Sequence, residues 1–496
     1  TGKTITLKVM AESFSDMGVP VFIADVKGDV AGMMCPGTNT EDMQKRIQKF
    51  GLAEAGFEYK GCPVTVWDIF GQKGIPLRTT VSEIGPLLLA RILELNDLQS
   101  AILNIVYKIA DDNQLLLIDT KDLKAMLNFV NENRTKFEAE YGKMSPASIT
   151  AIIRAIVALE TQGGDIFFGE PALAITDWLA QDCGKGMINI LDSESLINNG
   201  KLYSTFLLWM MSELFETLPE VGDLPKPKMV FFFDEAHLLF NGASKALLDK
   251  IEQVVKLIRS KGVGIYFCTQ NPKDIPDGVL AQLGNKVQHA LRAYTPADQR
   301  AVKAAAASYR PNPEFDTAST IMELGTGKAI VSFLGADGIP GIVQKVSILP
   351  PQCSMGSISD GQRDQAVKSS LLYSKYANYF DRDSAYEFLQ RQQMADARQA
   401  EEAKAAAEQA KIAEREAKAA ALAQEKAEKE AAREAERAAA EKNRVIKNVG
   451  SSVLGTVGRQ VGRTLGGSVA GNVGKTVGGN LGASLIRGIF GTFFKG

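Results

Sequence analysis

Two short stretches of the sequence carry the residue types that nucleotide-phosphate chemistry requires. The first is Thr1-Gly2-Lys3-Thr4, which is followed by an apolar pattern at helical spacing. A phosphate-binding loop offers consecutive backbone N–H groups, a lysine for the β- and γ-phosphates and a hydroxyl for Mg²⁺. Gly2, Lys3 and Thr4 match the last three positions of such a loop. We therefore expect an ATP and Mg²⁺ site here, and we interpret the chain as entering the loop part-way, without its first glycine and preceding strand.

The second stretch is 228–235, with the sequence KMVFFFDE. Its five apolar residues predict a buried strand, and Asp234 and Glu235 stand at the carboxyl end of that strand. In an open α/β sheet this is the edge at which ligands bind. Asp234 suits a Mg²⁺ ion held through water together with Thr4, and Glu235 suits a base that orients and polarises the attacking water. The alternative is a pair of surface acids that follow a core strand.

Two further candidates follow this strand in the chain. An amphipathic helix ends near Arg259, and the next predicted strand, 263–270, ends in Thr-Gln-Asn-Pro. Gln270 stands where a polar side chain can contact the γ-phosphate, and the alternative is an ordinary turn ahead of Pro272. Arg259 suits an arginine finger that reaches a neighbouring subunit's nucleotide. The alternative is a cation that complements the end of its own helix.

The elements that must position these residues alternate between helix and strand. Apolar periodicity predicts a helix over 4–15, a strand over 19–25, a helix over 42–50 and a strand over 62–69. This alternation predicts an α/β fold with a mainly parallel sheet that is covered on both faces.

The remaining core elements lie on either side of a helical stretch. We interpret 1–83 as the first part of the core, 84–180 as a largely helical insertion and 181–350 as the second part. Further strands are expected at 186–191, 228–234, 263–270 and 286–293, with an antiparallel edge hairpin at 329–334 and 341–348. The stretch 325–328 (GTGK) imitates a phosphate loop, but a strand follows it where a helix should, so we predict a turn.

The C-terminal part of the chain changes composition three times. We interpret 351–390 as a linker with short helices and 391–448 as a long helix rich in Ala, Glu and Lys. Residues 391–444 contain 12 basic and 12 acidic residues, so the helix is charge-balanced rather than a basic arm. At 1.5 Å per residue it would span roughly 80 Å. Residues 449–496 form a Gly-rich basic tail, for which the alternatives are disorder, a self-packing helix or a contact with a membrane surface.

The overall composition excludes several classes of protein. The chain has 496 residues, a formal net charge of -2 and 45% apolar residues, which are ordinary values for a globular protein. The small net charge excludes a wholly basic nucleic-acid coat protein. Five scattered cysteines and two histidines argue against a disulfide framework and a metal site built from those residues. These features favour the cytoplasm, and charges interrupt the apolar runs of the tail before they reach membrane-spanning length.

Several long segments resemble the bacterial HerA-like ATPase family of the HerA/FtsK superfamily of P-loop NTPases. In chain order they are GDIFFGEPAL (164–173), LYSTFLLWMMSELFETLPEVGD (202–223), FFFDEAHLLF (231–240), IRSKGVGIYFCTQNPKDIPD (258–277) and QLGNKVQHALRAYTPADQ (282–299). The resemblance covers the chain to about residue 390. It implies a RecA-like ATPase core that assembles into hexameric rings and moves along DNA.

The resemblance also implies roles for individual residues by their positions. They are Thr1, Gly2, Lys3 and Thr4 in the nucleotide loop, Asp25 near the Mg²⁺ site, Asp234 and Glu235 as the Walker B pair, Gln270 as the strand-end sensor and Arg259 as the arginine finger.

Three functions remain open from the sequence. The leading one is an ATP-driven ring motor that acts on DNA. The alternatives are an ATP-dependent remodeller of protein, and a non-motor ATP-dependent scaffold or membrane-associated assembly. Expected partners are further copies of the chain in a homo-hexamer, DNA, and a protein bound through the C-terminal helix or Gly-rich tail. Salt-sensitive stimulation of ATPase activity by DNA separates the first function from the others, because phosphate contacts release counterions.

Overall fold

The computed structural model describes residues 2–196, 200–222, 224–240 and 245–447. Its helices are α1 Lys3–Asp16, α2 Glu41–Lys49, α3 Val81–Ile92, α4 Asp97–Asp112, α5 Thr120–Glu132, α6 Arg134–Tyr141, α7 Pro146–Glu160, α8 Gly164–Phe167, α9 Gly200–Thr217, α10 His237–Phe240, α11 Lys245–Leu257, α12 Asp277–Leu280, α13 Pro296–Ala307, α14 Thr317–Glu323, α15 Asp360–Ser369, α16 Tyr373–Tyr376 and α17 Ala385–Lys447. Its strands are β1 Val21–Asp25, β2 Val64–Asp68, β3 Ile75–Pro76, β4 Gln181–Asp182, β5 Lys185–Gly186, β6 Ile188–Asp192, β7 Met229–Phe233, β8 Val263–Phe267, β9 Lys286–Gln288, β10 Lys328–Ser332 and β11 Gln344–Ser347. The chain divides into two units, Thr1–Ala400 and Glu401–Gly496.

A six-stranded parallel sheet in the order β3-β2-β6-β1-β7-β8 forms the centre of the first unit. Strands β1, β6 and β7 are buried along their whole length. Their nearly continuous apolar sequences suit strands whose two faces are both covered. Because all six strands run in the same direction, their carboxyl ends meet at one edge of the sheet. At that edge Asp25 of β1 stands beside Asp192 of β6.

Alternating side chains of the central strands divide between two apolar layers. Phe22 and Phe231 lie in the larger core, on one face of the sheet. Ile23 and Phe232 lie in a second core that also contains Leu7 of α1. The period of two along each strand thus supplies both faces from one sequence. Packing of α1 in the second core fixes the helix that begins at Lys3.

The predicted helical insertion is present as α3–α8, and it is not a separate domain. Its residues share the larger core with the sheet; Ile152, for example, is fully buried in that core. The contact extends to the turn that follows α8, where Trp178 stacks on Phe22 of β1 with ring centroids 4.6 Å apart. The insertion therefore forms one covering layer of the sheet.

Strands β10 and β11 pair in antiparallel fashion, as predicted, in a separate three-stranded sheet. Strand β10 lies between β9 and β11. Because each of its two edges already has a partner, β10 has no edge left with which to extend the six-stranded sheet. The strand predicted over 286–293 is reduced to β9. The stretch 325–328 forms the predicted turn, with Gly327 at a φ of 71°.

The segment 351–390, interpreted above as a linker with short helices, contains α15 and α16 and packs against the core. Tyr376 is fully buried, and its ring centroid lies 5.5 Å from that of Trp67. The carboxylate of Glu12 accepts hydrogen bonds from the backbone N–H groups of Gln352 and Cys353, at 3.1 and 2.7 Å. Buried residues in short helices and loops produce no periodic pattern, so apolar periodicity does not predict this packing.

The predicted long helix is confirmed as α17, which runs for 63 residues. Two ion pairs form along it, each with a distance of 2.7 Å: Glu414 with Lys418, and Glu425 with Lys429. Residues 393–440 are exposed to solvent, which agrees with their polar composition. The predicted Gly-rich tail, 449–496, lies outside the described residues.

Within the ranges that the structure describes, no single helix is both long and apolar enough to cross a membrane. The pair α6 and α7 meets that test only jointly, and it bends by 102° at the break between the two helices.

Candidate functional site

The carboxyl edge of the sheet brings together three predicted site residues that lie far apart in the chain. Lys3, the first residue of α1, donates a hydrogen bond from Nζ to the carbonyl of Thr269, 3.1 Å away and just beyond β8. The next residue, Gln270, donates from Nε2 to Oε1 of Glu235 at 3.0 Å. Helix α1 and strands β7 and β8 therefore deliver their predicted site residues to one place.

Glu235 is held in a backbone conformation that residues with a side chain seldom adopt. Its φ is 49°, in the left-handed region, and such conformations cost of order 1–3 kcal/mol. The N–H of Ala236 donates to the carbonyl of Cys268 at 2.8 Å, which ties this turn to the end of β8. Residue 235 itself is buried. The turn therefore fixes a buried carboxylate at the tip of β7.

The two oxygens of Glu235 have different surroundings. Oε1 accepts hydrogen bonds from Gln270 and from Nζ of Lys27, which lies 2.5 Å away. Oε2 is buried, and none of the described residues donates a hydrogen bond to it. His237 places Nδ1 at 3.4 Å from Oε2 without forming such a bond. Because a buried oxygen without a donor is costly, Oε2 marks a place for a water molecule or ligand.

Asp234 also has a carboxylate oxygen that is buried without a hydrogen-bond donor among the described residues. Its Oδ2 is buried and finds no donor within the part of the chain that the structure describes. Burial raises the pKa of Asp234, while the nearby charge of Lys27 opposes that shift. Carboxylate oxygens are hard ligands of the kind that Mg²⁺ takes. Asp234 therefore fits a role in holding Mg²⁺. The second predicted Mg²⁺ ligand is the hydroxyl oxygen of Thr4, a half-buried residue in the first turn of α1.

Two lysines balance the acidic charge at this edge. Burial lowers the pKa of Lys3, although Glu235 favours its charged form. The hydrogen bond to Glu235 raises the pKa of Lys27. Burial by itself raises the pKa of Glu235, but the hydrogen bonds from Lys27 and Gln270 outweigh it and bring that pKa below its ordinary value. Glu235 is therefore ionised at neutral pH and can accept a hydrogen bond from water.

The carboxylate of Asp25 organises a loop. Its Oδ1 accepts hydrogen bonds from the backbone N–H groups of Lys27 and Gly28, at 3.1 and 2.9 Å, and its Oδ2 accepts one from Val30 at 2.9 Å. Gly28 takes the left-handed conformation, with a φ of 71°, that lets the loop turn so tightly. Asp25 thus shapes the loop that places Lys27 beside Glu235, and its predicted place near the Mg²⁺ site stays a prediction.

The start of α1 packs against His289, the residue that follows β9. Gly2 caps the helix with a φ of 100°, and a Cβ at this position would lie 3.5 Å from the ring of His289. His289 is buried, and its Nε2 lies 2.9 Å from Oγ1 of Thr6. The predicted loop residue Thr1 lies outside the described residues.

Arg259 is not part of this cluster. It lies in the turn Ile258–Lys261 ahead of β8, whereas Gln270 follows β8. The two ends of a five-residue strand are about 16 Å apart. The exposed side chain of Arg259 lines a cavity of about 1010 Å³ that also reaches Lys3 and Gln270. The finger role of Arg259 stays a prediction, directed at a neighbouring subunit.

Comparison with known proteins identifies the family. Residues 1–477 match the family model described as "Helicase HerA-like C-terminal". The chain belongs to this HerA-like family. A curated protein of Methanocaldococcus jannaschii, named "Probable helicase MJECL08", is 29% identical over 160 residues. That match covers 30% of the HerA-like chain and 29% of the length of the curated relative.

Two solved structures align with the HerA-like chain at low sequence identity. The plasmid coupling protein TrwB, in complex with ADP and Mg²⁺, is 13% identical with a TM-score of 0.49, over 73% of this chain and 85% of that one. VirB4 of Thermoanaerobacter pseudethanolicus is 16% identical with a TM-score of 0.42, over 70% of this chain and 86% of that one.

The HerA-like chain has the α/β, RecA-like P-loop architecture that the resemblance implied. A helix begins directly after Gly2, an acidic pair follows the buried strand β7, and the next strand, β8, ends beside that pair. Sequence reasoning missed one residue of the cluster, Lys27. The pattern that would have indicated it is Asp25-Val-Lys27-Gly28 directly after a buried strand, because an aspartate and a glycine there favour a tight turn.

Proposed function

We propose that this HerA-like chain is an ATP-hydrolysing ring motor that works on DNA, with ATP and Mg²⁺ as its cofactors. One observation carries the ATPase part of the proposal. Lys3, Asp234 and Glu235 stand at the carboxyl edge of a parallel sheet, and each of the two acids keeps a buried oxygen that has no donor among the described residues. Such an edge is where α/β proteins bind their ligands.

In this proposal the chain's own residues divide the work. Lys3 binds the β- and γ-phosphates together with the backbone N–H group of Gly2, and Thr1 stays a predicted residue of the same loop. Asp234 and Thr4 would hold Mg²⁺ through water, and the bound ion supplies charge neutralisation on the phosphates.

Glu235 carries the step that involves water. Its Oε2 accepts a hydrogen bond from the attacking water and orients it toward the γ-phosphate, while Oε1 stays bound to Lys27 and Gln270. Gln270 connects this carboxylate to the phosphate side of the site, because the preceding residue, Thr269, contacts Lys3. The strained turn at residue 235 supports this role, since strain of this kind recurs at functional sites.

DNA is the substrate that the family description favours. The HerA-like family model is described as a helicase, and the curated relative is named a probable helicase. The test is an ATPase assay on the full-length protein, with and without duplex DNA, at several salt concentrations. We expect DNA to stimulate hydrolysis, with an affinity that falls steeply as salt rises, because phosphate contacts release counterions. Equal rates with and without DNA would refute the DNA motor, and no hydrolysis at all would refute the ATPase.

The ring part of the proposal, a homo-hexamer, depends on Arg259. Because this residue lies a strand's length from its own Glu235, it suits a contact with a neighbour's nucleotide. Known arginine fingers contribute about 10³–10⁵ in rate, so we expect Arg259→Ala to abolish hydrolysis while nucleotide affinity is kept. Mixed rings of Arg259→Ala and Glu235→Gln subunits should recover part of the activity, since each supplies what the other lacks. No recovery in rings shown to be mixed would argue that Arg259 acts within its own subunit.

A second candidate function is an ATP-dependent remodeller or scaffold that acts on protein. The observation that favours it is α17, whose residues 393–440 are exposed and offer both charges along one long helix. We propose this helix, or the tail beyond it, as the binding site of a protein partner. Truncation after Ala400 should then abolish partner binding and leave ATP hydrolysis intact. Loss of DNA stimulation in the same variant would instead assign the helix to the motor.

The free cysteines favour a reducing compartment, and we propose the cytoplasm. They are Cys35, Cys62, Cys183, Cys268 and Cys353. Fractionation of cells that express the chain tests this assignment.

A further inference from the structure

Lys27 makes the shortest polar contact of the Glu235 carboxylate. Its Nζ lies 2.5 Å from Oε1, and Gln270 occupies a second position on the same oxygen at 3.0 Å. Two donors on one oxygen fix the rotation of a carboxylate, because turning it would exchange the occupied oxygen for the other. Oε2, which has no donor within the described ranges, is thereby held in a single orientation.

The position of Lys27 is itself fixed by the backbone. The carboxylate of Asp25 accepts three N–H groups from the loop that carries Lys27, at distances of 2.9–3.1 Å. Asp25 ends the fully buried strand β1, which lies directly beside β7 in the sheet. The sheet is therefore connected to Glu235 through the hydrogen-bonded carboxylate of Asp25, the tight loop that it stabilises, and Lys27.

Lys27 and Glu235 differ in their exposure to solvent. The Lys27 side chain is 47% exposed, whereas the side chain of Glu235 is 5% exposed. A half-exposed ammonium keeps much of its hydration, whereas the buried carboxylate depends on the donors that the protein supplies. What the pairing does supply is direction, because the buried carboxylate has no solvent-facing alternative.

We propose that Lys27 is a positioning residue that holds Oε1 of Glu235 so that Oε2 alone is presented to the attacking water. This role rests on the proposed ATP hydrolysis. The other use for a lysine at this edge is a direct contact with a phosphate of the nucleotide. The two roles differ in what they affect: positioning of Glu235 acts on kcat, whereas a phosphate contact acts on nucleotide affinity.

The experiment compares Lys27→Met, Lys27→Arg and the parent in the full-length protein, with kcat, KM and the dissociation constant of ATP measured for each. A small displacement of a reacting group costs about 10²-fold in rate. We expect Lys27→Met to lose about that factor in kcat with the ATP affinity unchanged, and Lys27→Arg to restore most of it. In a Glu235→Gln background, Lys27→Met should cause no further loss. An unchanged kcat, or a tenfold weaker ATP affinity with kcat kept, would overturn the positioning role.

The matched control is Lys73→Met. Lys73 also pairs with a glutamate, Glu194, at the carboxyl edge of the same sheet, and it contacts neither Glu235 nor Gln270. Its loss should leave kcat unchanged, and an equal loss of kcat in both variants would show a general effect of charge rather than positioning. A parent without ATPase activity overturns the proposed function and this role together, whereas an active parent that Lys27→Met does not slow overturns the role alone.

Discussion

The carboxyl edge of the sheet has two halves that contain the same residue types in different states. On the half formed by β2 and β6, Asp68 accepts three backbone hydrogen bonds at 2.8–2.9 Å, and Asp192 pairs with the buried Arg363. On the half formed by β7 and β8, Asp234 and Glu235 each keep a buried oxygen without a donor among the described residues. Both halves place carboxylates at the ends of parallel strands, so position alone does not distinguish them.

The difference between the halves lies in how completely each carboxylate is satisfied. A buried carboxylate with a full set of donors holds its surroundings together, and removing it leaves those donors unpaired. A buried carboxylate oxygen that accepts no hydrogen bond contributes little to the stability of the fold. It suits a contact with a ligand, because buried polar groups in native proteins are nearly always hydrogen-bonded. We infer that the β2 and β6 half is structural and that the β7 and β8 half is the reaction site.

The largest expected effect tests the reactive half. Glu235→Gln keeps the size of the side chain but removes the charge that polarises the attacking water. General base catalysis is worth about 10²–10⁴-fold, so we expect kcat to fall by that factor while ATP binding is kept. The measurement is single-turnover hydrolysis beside equilibrium binding of ATP. The matched control on the other half is Asp68→Asn, which should retain kcat. Near-normal turnover in Glu235→Gln would remove the assignment of this residue as the base.

The next largest effect tests the structural half. Arg363→Met leaves Asp192 buried without its partner, and breaking such a pair from one side costs about 3–5 kcal/mol. We expect denaturant unfolding to show a loss of that size, with kcat per folded molecule kept. The double variant Arg363→Met/Asp192→Asn should recover much of the stability, because no charge is then left buried and unpaired. A loss of kcat without a loss of stability would place Asp192 in the reaction site and erase the contrast between the halves.

The sequence predicted the elements of both halves but not the contrast between them. Apolar runs and strand-end acids located β1, β7 and β8 and the pair Asp234 and Glu235, because burial on both faces leaves a direct trace in composition. The state of each acid depends on partners far away in the chain. Arg363 lies 171 positions from Asp192, and Lys27 lies 208 positions from Glu235. Periodicity reports that a residue is buried and carries no information about such partners.

The same limit explains two features of the fold that the sequence did not predict. The segment 351–390 contributes Arg363 and Tyr376 to the core from short helices that lack a regular apolar pattern. The hairpin of β10 and β11 was predicted correctly as a pair, but its sheet depends on a third strand, β9, that only tertiary contacts reveal. Local patterns therefore predicted elements and pairs, whereas the assembly of those elements required the structure.

The smallest expected effect tests whether charge at this edge matters by itself. Lys73 and Glu194 form an ion pair on the structural half, but their side chains are 44% and 53% exposed. Exposed pairs contribute about 0–1 kcal/mol, so Lys73→Met should lower the free energy of unfolding by no more than that.

The hydrogen bond from Lys73 lowers the pKa of Glu194 from its ordinary value of 4.5. The contribution of the pair is therefore present above pH 4.5 and disappears as the pH falls below that value and Glu194 takes up a proton. Unfolding measured against pH should show the parent and Lys73→Met differing slightly at neutral pH, and less at higher salt because of screening. At acid pH the two curves should coincide. A difference that persists at acid pH would mean that Lys73 stabilises the loop through its alkyl chain rather than through charge.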